Sequence, residues 1–238
     1  MAFGIKLRVW GDYAAFNRPE MKVERVSYDV MTPSAARGVL TAIYWKPEMR
    51  WIIDEIRVLN PIRYTQVRRN EISCKISKGS VSGAMKAGRG QLGIAVDEYR
   101  QQRAASILRD VSYGIRAHIE VVRIEKLGDQ VNGNSEAKHL EMFKRRATRG
   151  QYFHHPYLGV REFPASFELV ENLPPGSTEL AGTRDLGYML HDLVYIPEKK
   201  GTVVDANSGE RCRAEPRFFR ATLTDGILQV PDLAEARG

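Results

Sequence analysis

From Val111 onward the chain alternates strictly. Tyr113, Ile115, Ala117, Ile119 and Val121 fall on one side, and Gly114, Arg116, His118 and Glu120 fall on the other. Successive side chains of a strand point to opposite faces, so the pattern demands a sheet with one buried face and one polar face. It predicts a strand over 111–126. Phe3, Ile5, Leu7 and Val9, alternating with Gly4, Lys6 and Arg8, predict a second strand, ended by Gly11-Asp12. Thr32 reads as an N-cap with Pro33 at the first helical position, and Ala36, Val39, Leu40 and Ile43 follow at helical spacing. Pro47 should stop this helix near Tyr44–Trp45. Trp51–Leu59 and Ile62–Ile76 read as strands, and Asp97–Leu108 as a helix capped by Asp97. The order β-α-β-β-α-β is the ferredoxin-like arrangement that RNA-recognition modules share, though fold alone does not set function.

Beyond this pattern the sequence changes character. Gly79, Gly83, Gly88, Gly90 and Gly93, with Lys86 and Arg89 among them, predict a basic loop over 79–93 that is mobile without a ligand. It lacks the Gly-Lys-Ser/Thr ending of a nucleotide-binding P-loop. Gly128–Asn134 reads as a polar linker. A helix opens at Ser135, with Glu136 early and Lys144-Arg145-Arg146 late, charges that suit the helix dipole. Apolar runs at Tyr157–Val160, Ser166–Val170, Leu186–Ile196 and Phe218–Leu223 mark short strands. The expectation is an α+β protein: a ferredoxin-like (RRM-type) domain over 1–127 and a smaller β-rich domain over 128–238.

The net charge of +7 is local. Residues 63–123 hold 12 Lys+Arg against 5 Asp+Glu, and the remainder balances. A basic stretch attracts a polyanion, because neutralised phosphates release counterions. The charge admits RNA and also duplex DNA; a solvated basic surface that aids solubility is the plainer reading. A membrane surface fits poorly, since the cations are interleaved with Gly, Ser and Gln and not set opposite an apolar face. No apolar run reaches the ~20 residues of a bilayer span. The first ten residues alternate and form no export signal. Cys74 and Cys212 make neither a disulfide framework nor a four-cysteine zinc site, so a reducing cytoplasm is expected.

Among the five histidines, His118 has a direction fixed by its strand, sharing the polar face with Arg116 and Glu120. RNA can be cut without a metal when its own 2′-OH attacks the adjacent phosphorus. An imidazole can then move the proton and a fixed cation can stabilise the phosphorane. The same histidine also reads as a structural residue bonded to a carboxylate such as Glu120. Tyr44, at the helix end beside Trp45, Lys46 and Pro47, can orient a 2′-OH or phosphate, or simply pack there with its hydroxyl in water. His154-His155 has no neighbouring Cys or carboxylate to complete a tetrahedral set, so no metal site is expected.

Several segments together resemble one family. They are Lys6–Ala14, Arg18–Val30, Thr32–Gly38, Ala42–Pro47, Arg68–Glu71, Gln102–Ala104, Ala117–Glu120, Lys138-His139, Phe143–Arg146, Gly159–Pro164 and Asp185–Leu190. The set is similar to the CRISPR-associated RAMP subunits of subtype I-C Cascade, the Cas5d branch. The resemblance implies a RAMP-type fold and a metal-independent endoribonuclease without cofactor. Such an enzyme cuts CRISPR precursor RNA at the base of the repeat hairpin, leaves a 2′,3′-cyclic phosphate, and stays on the crRNA 5′ handle among the other Cascade subunits. It also implies a catalytic tyrosine and histidine at Tyr44 and His118. The lysine found beside that histidine in some members is absent, and Arg116 is the nearest cation, suited to electrostatic stabilisation but not to proton donation. Arg68, Arg69, Lys75, Lys78, Lys86 and Arg89 are the expected contacts to RNA phosphates. A non-catalytic subunit that caps the crRNA is the alternative.

Overall fold

The computed structural model describes residues 4–21, 23–90, 92–121 and 135–238. It is a mixed α/β structure dominated by one large, mainly antiparallel sheet. The strands are β1 (Gly4–Ala14), β2 (Arg25–Val26), β3 (Met49–Val58), β4 (Tyr64–Ile72), β5 (Arg100–Val121), β6 (Ser166–Leu169), β7 (Thr183–Pro197), β8 (Val203–Val204), β9 (Arg211–Thr224) and β10 (Ile227–Gln229). The helices are α1 (Pro33–Ile43), α2 (Lys78–Ala87), α3 (Val96–Tyr99) and α4 (Ser135–Thr148). The main path of the sheet runs β6-β1-β5-β3-β10-β9-β7, with β2 and β4 on β5 and β8 on β9.

Local chemistry sets α1 as expected. The Thr32 hydroxyl accepts from the Ala35 amide, Pro33 opens the helix, and Tyr44 is already extended. Its buried face, Ala36, Val39, Leu40 and Ile43, joins Leu140 and Phe143 of α4 in the core. That core rests on the alternating residues Ile115, Ala117 and Ile119 of β5 and Leu7 and Val9 of β1. Trp51 of β3 meets Phe143 edge-on, with ring centroids 4.7 Å apart. The helices α1 and α4 therefore cover one face of the sheet, and Arg116 and His118 point from the other.

Four expectations change. The predicted helix at 97–108 is a strand: only Val96–Tyr99 is helical, and β5 starts at Arg100, where it pairs residue for residue with β4 from Ile72 back to Tyr64. The second helix of the expected β-α-β-β-α-β order therefore does not stand where the sequence placed it. The glycine-rich segment is no simple loop, because α2 occupies Lys78–Ala87, with the Ser77 hydroxyl accepting from the Ser80 amide and Gly88 closing the helix at φ 63°. Finally, β1 continues through Gly11-Asp12 to Ala14, held there by Tyr13 and Ala14 pairing with Arg109 and Leu108. The linker expected at 128–134 and the end of the strand expected to Lys126 lie outside the described residues.

Segments on both sides of the expected division at 127/128 enter the same sheet. β6 pairs with β1, and β10 pairs with β3. Among the described residues no helix is long and apolar enough to cross a membrane.

Candidate active site and nucleic-acid interface

The polar face of β5 is organised by an irregularity in β3. The register slips between Ile53 and Glu55, so two residues of β3 oppose one of β5. A bulge of this kind re-aims side chains. It brings two consecutive carboxylates, Asp54 and Glu55, to the side of His118 and Arg116, while Ile53 and Ile56 stay buried. His118 Nδ1 lies 2.8 Å from Asp54 Oδ1. With Nδ1 donating to that carboxylate, Nε2 is the nitrogen left for a substrate. The partner is thus Asp54, not Glu120.

Arg116 Nη2 is 2.9 Å from Glu55 Oε2. Glu55 is buried and also accepts from Arg57 Nε at 2.5 Å and Gln229 Nε2 at 3.3 Å. Burial pushes its carboxyl up, but the bonds from Arg57 and Gln229 and the field of Arg116 more than offset this and hold it low. Arg116 consequently faces solvent with much of its charge compensated.

His118 lines a cleft of about 380 Å³ with Arg37, Arg50, Asp54, Glu120, His191, Asp192 and the segment from Val230 to Ala234. Arg37 is tied to Asp192 by two bonds of 2.5 and 2.8 Å. Arg50, opposite Glu120 in the β3–β5 register, has no carboxylate within 4 Å among the described residues. It is the cation of this cleft most available to an anion. Two arginines nevertheless face four carboxylates, Asp54, Glu120, Asp192 and Asp232.

Tyr44 is elsewhere. It caps α1 on the helix-covered face, 3% exposed, and its hydroxyl is 2.9 Å from Nδ1 of His139 on α4. The Arg146 guanidinium lies 5.4 Å from its ring centre, and the Trp51 indole donates to its carbonyl at 2.9 Å. Burial pushes the phenol up, Glu48 adds to this and Arg146 opposes it, so it holds its proton at neutral pH. Burial pulls His139 below 6.5, against the field of Glu48. Tyr44 and His118 therefore point to opposite faces of the sheet, and the expected hydroxyl in water is a buried hydrogen bond.

The predicted RNA contacts divide by position. β4, α2, α3 and the start of β5 form an arm on which Arg68, Lys75, Lys78, Lys86 and Arg89 are exposed and no residue of α2 is buried. Arg69 is instead bonded to Glu162 and lies 5.8 Å from the Phe163 ring centre. Arg100, exposed where the arm meets the sheet, is a further cation that the sequence pattern does not single out. Asp54 and Arg50 also escape it, because the continuous apolar run Trp51-Ile52-Ile53 between them hides the strand alternation. Among the described residues no three His, Cys, Asp or Glu side chains cluster to hold a metal.

The model of the Cas5d family, described as CRISPR-associated protein (Cas_Cas5), matches residues 4–231. The chain belongs to the Cas5d family. A protein of Mannheimia succiniciproducens named CRISPR pre-crRNA endoribonuclease Cas5d is 51% identical over 236 residues, 97% of this chain and 96% of that one. A protein of Thermus thermophilus with the same name is 41% identical over 232 residues, 95% of this chain and 91% of its own. Among solved structures, the functionally uncharacterized protein SMU1763c of Streptococcus mutans shares the fold. Its TM-score is 0.64 at 21% identity, with 99% of this chain and 95% of that one covered. Tyr44-Trp45-Lys46-Pro47 forms the turn from α1 into β3, and Ala117-His118 lies on β5 opposite the bulge.

Proposed function

We propose that this protein is a CRISPR pre-crRNA endoribonuclease. The carrying observation is near full-length identity, 51% and 41%, to two relatives so named. In this reading the core β1-α1-β3-β5-α4-β6 is a ferredoxin-like unit of the RAMP type, since its strands lie in the order β6-β1-β5-β3 with every pair antiparallel. The substrate is the CRISPR repeat hairpin, cut at its base. The product stays bound by its 5′ handle, and the protein works among other Cascade subunits, as its family membership implies.

The chemistry assigned is attack by the substrate's 2′-OH on the neighbouring phosphorus. His118 moves the proton through Nε2, and Asp54 holds the ring so that this nitrogen faces the cleft. Arg116 and Arg50 stabilise developing charge at the phosphorane, Arg116 less strongly because Glu55 offsets it. Tyr44 has a positioning role. It anchors the turn from α1 into β3, and with it the strand that carries Asp54. The basic arm holds the phosphates of the hairpin.

One observation favours the second reading, a subunit that caps crRNA without cutting: the carboxylates outnumber the arginines in the His118 cleft, which opposes a phosphate there. The two readings separate in one experiment, incubation of repeat RNA with the protein in EDTA. The nuclease reading expects a single cut at the hairpin base, a 2′,3′-cyclic phosphate end, and no cut when the scissile nucleotide lacks its 2′-OH. His118→Ala binds RNA and does not cut. Asp54→Asn cuts on the order of 10- to 100-fold more slowly, a share of the ~10²–10⁴ that positioned proton transfer supplies. Binding without cleavage by the wild type overturns the nuclease reading.

A further inference from the structure

The chain after α4 presents an aromatic surface that the catalytic reading does not use. Phe153 is 84% exposed and Tyr152 44% exposed. Their rings continue through neighbouring histidines. Phe153 lies 6.0 Å from His154, His154 is stacked 6.1 Å from Tyr157, and Tyr152 lies 5.0 Å from His155. A surface ring as open as Phe153 contributes little to its own fold, so its burial energy is available to a partner.

The backbone that carries the rings is held in place. The Phe153 amide donates to the Ala42 carbonyl at 2.8 Å. His155 Nδ1 lies 2.8 Å from the Pro156 carbonyl. Ala42 is two residues before Tyr44, so the surface adjoins the turn into β3. The preceding helix supplies cations: Arg145 and Arg149 are exposed, Lys138 is exposed one turn from its start, and Glu141, paired with Lys144 at 3.6 Å, is its acid in that stretch. Open rings that directly follow a helix bearing exposed cations suit an unpaired nucleic-acid strand, whose bases stack on any π-face while its phosphates track the charge. A protein partner of this patch would need acidic residues for the arginines as well as an apolar surface for the rings; an RNA strand meets both needs in every nucleotide.

We propose that Phe153, Tyr152 and His154 form a stacking platform for unpaired nucleotides of RNA, with Arg145 and Arg149 as its phosphate contacts. It would bind the single-stranded flank of the repeat, apart from the hairpin on the basic arm. This rests on the RNA-processing reading. The test is fluorescence anisotropy of labelled 12-mer oligoadenylate, the same length of abasic RNA, and a repeat hairpin trimmed of its flanks.

Phe153→Ala should weaken oligoadenylate binding roughly tenfold, leave the trimmed hairpin within twofold, and leave the salt slope unchanged. Phe153→Trp should restore affinity. Arg145→Gln with Arg149→Gln should lower the slope of log K against log salt by roughly 0.7 for each phosphate no longer neutralised. The abasic strand should bind wild type and Phe153→Ala alike. Equal oligoadenylate affinity for wild type and Phe153→Ala, while the hairpin is bound and cut, overturns the platform and leaves the nuclease reading standing. Failure of the wild type to bind either RNA overturns both. Phe153 is so exposed that its substitution leaves the fold intact, which the unchanged hairpin affinity checks.

Discussion

His139 is buried against Tyr44, and its environment makes folding sensitive to pH. Burial disfavours its imidazolium, so the folded protein takes up that proton at lower pH than the unfolded chain, whose histidine titrates near 6.5. Where the unfolded state binds more protons, stability rises with pH. The contribution of His139 is therefore complete above about 6.5 and is lost as pH falls toward its depressed folded value. Urea midpoints measured at pH 7.5 and 5.5 should drop for the wild type by more than for His139→Gln; equal drops would remove His139 as the source. At this scale the sequence was half informative. The direction of His118 was legible, because strand alternation is local. Its partner was not, since Asp54 lies 64 residues away and reaches it through a bulge that neither residue type announces. Tyr44 was legible as a helix-end residue, but its burial depends on α4 arriving from beyond residue 134.

Among the elements, α1 was readable from Thr32, Pro33 and Pro47 because caps and breakers act within a few residues. β5 was readable where Ile and Val alternate with polar residues and unreadable over Arg100–Leu108. There Gln101, Gln102, Ala104 and Ala105 carry no strand preference, and pairing with β4 decides the conformation. The helix α2 was hidden by Gly79 and Gly83, which disfavour helix, although Ser77 and Gly88 mark both of its ends. Among the described residues, the arm it belongs to contributes no buried side chain between Lys75 and Tyr99. Its base is closed by the Ser73 amide donating to the Tyr99 carbonyl at 2.9 Å. Replacing residues 75–97 by a short glycine turn should therefore leave the thermal midpoint within about 2 °C, while removing Lys75, Lys78, Lys86 and Arg89. Affinity for the repeat hairpin should fall at least tenfold and its salt slope should flatten, by roughly 0.7–0.9 for each phosphate no longer neutralised. An unchanged slope would show that the arm carries no phosphate contacts.

Across the whole molecule, one sheet and one core join the two halves that the sequence suggested as separate domains. β6 lies on one side of β1 and β10 on one side of β3, so segments after residue 135 pair with both outer strands of the β1-β5-β3 group. Phe143 and Leu140 pack where Trp51 and Ile119 would otherwise meet water. Gln229 of β10 completes the bonds of buried Glu55, whose charge is otherwise costly. A cut at 127/128 removes all three supports at once. Burying apolar surface contributes roughly 25 cal/mol per Å², and rings the size of Trp51 and Phe143 bury roughly 150–250 Å² each, so exposing them costs several kcal/mol out of the roughly 5–15 typical of a domain. The protein should then unfold in a single transition, with calorimetric and van't Hoff enthalpies equal and with near-ultraviolet and far-ultraviolet signals coincident. The fragment 1–127 should lack the sharp aromatic circular dichroism of the full chain. Two resolved transitions, or a fragment with that native aromatic signal, would show instead that the halves fold independently and that β6 and β10 merely dock one domain on the other.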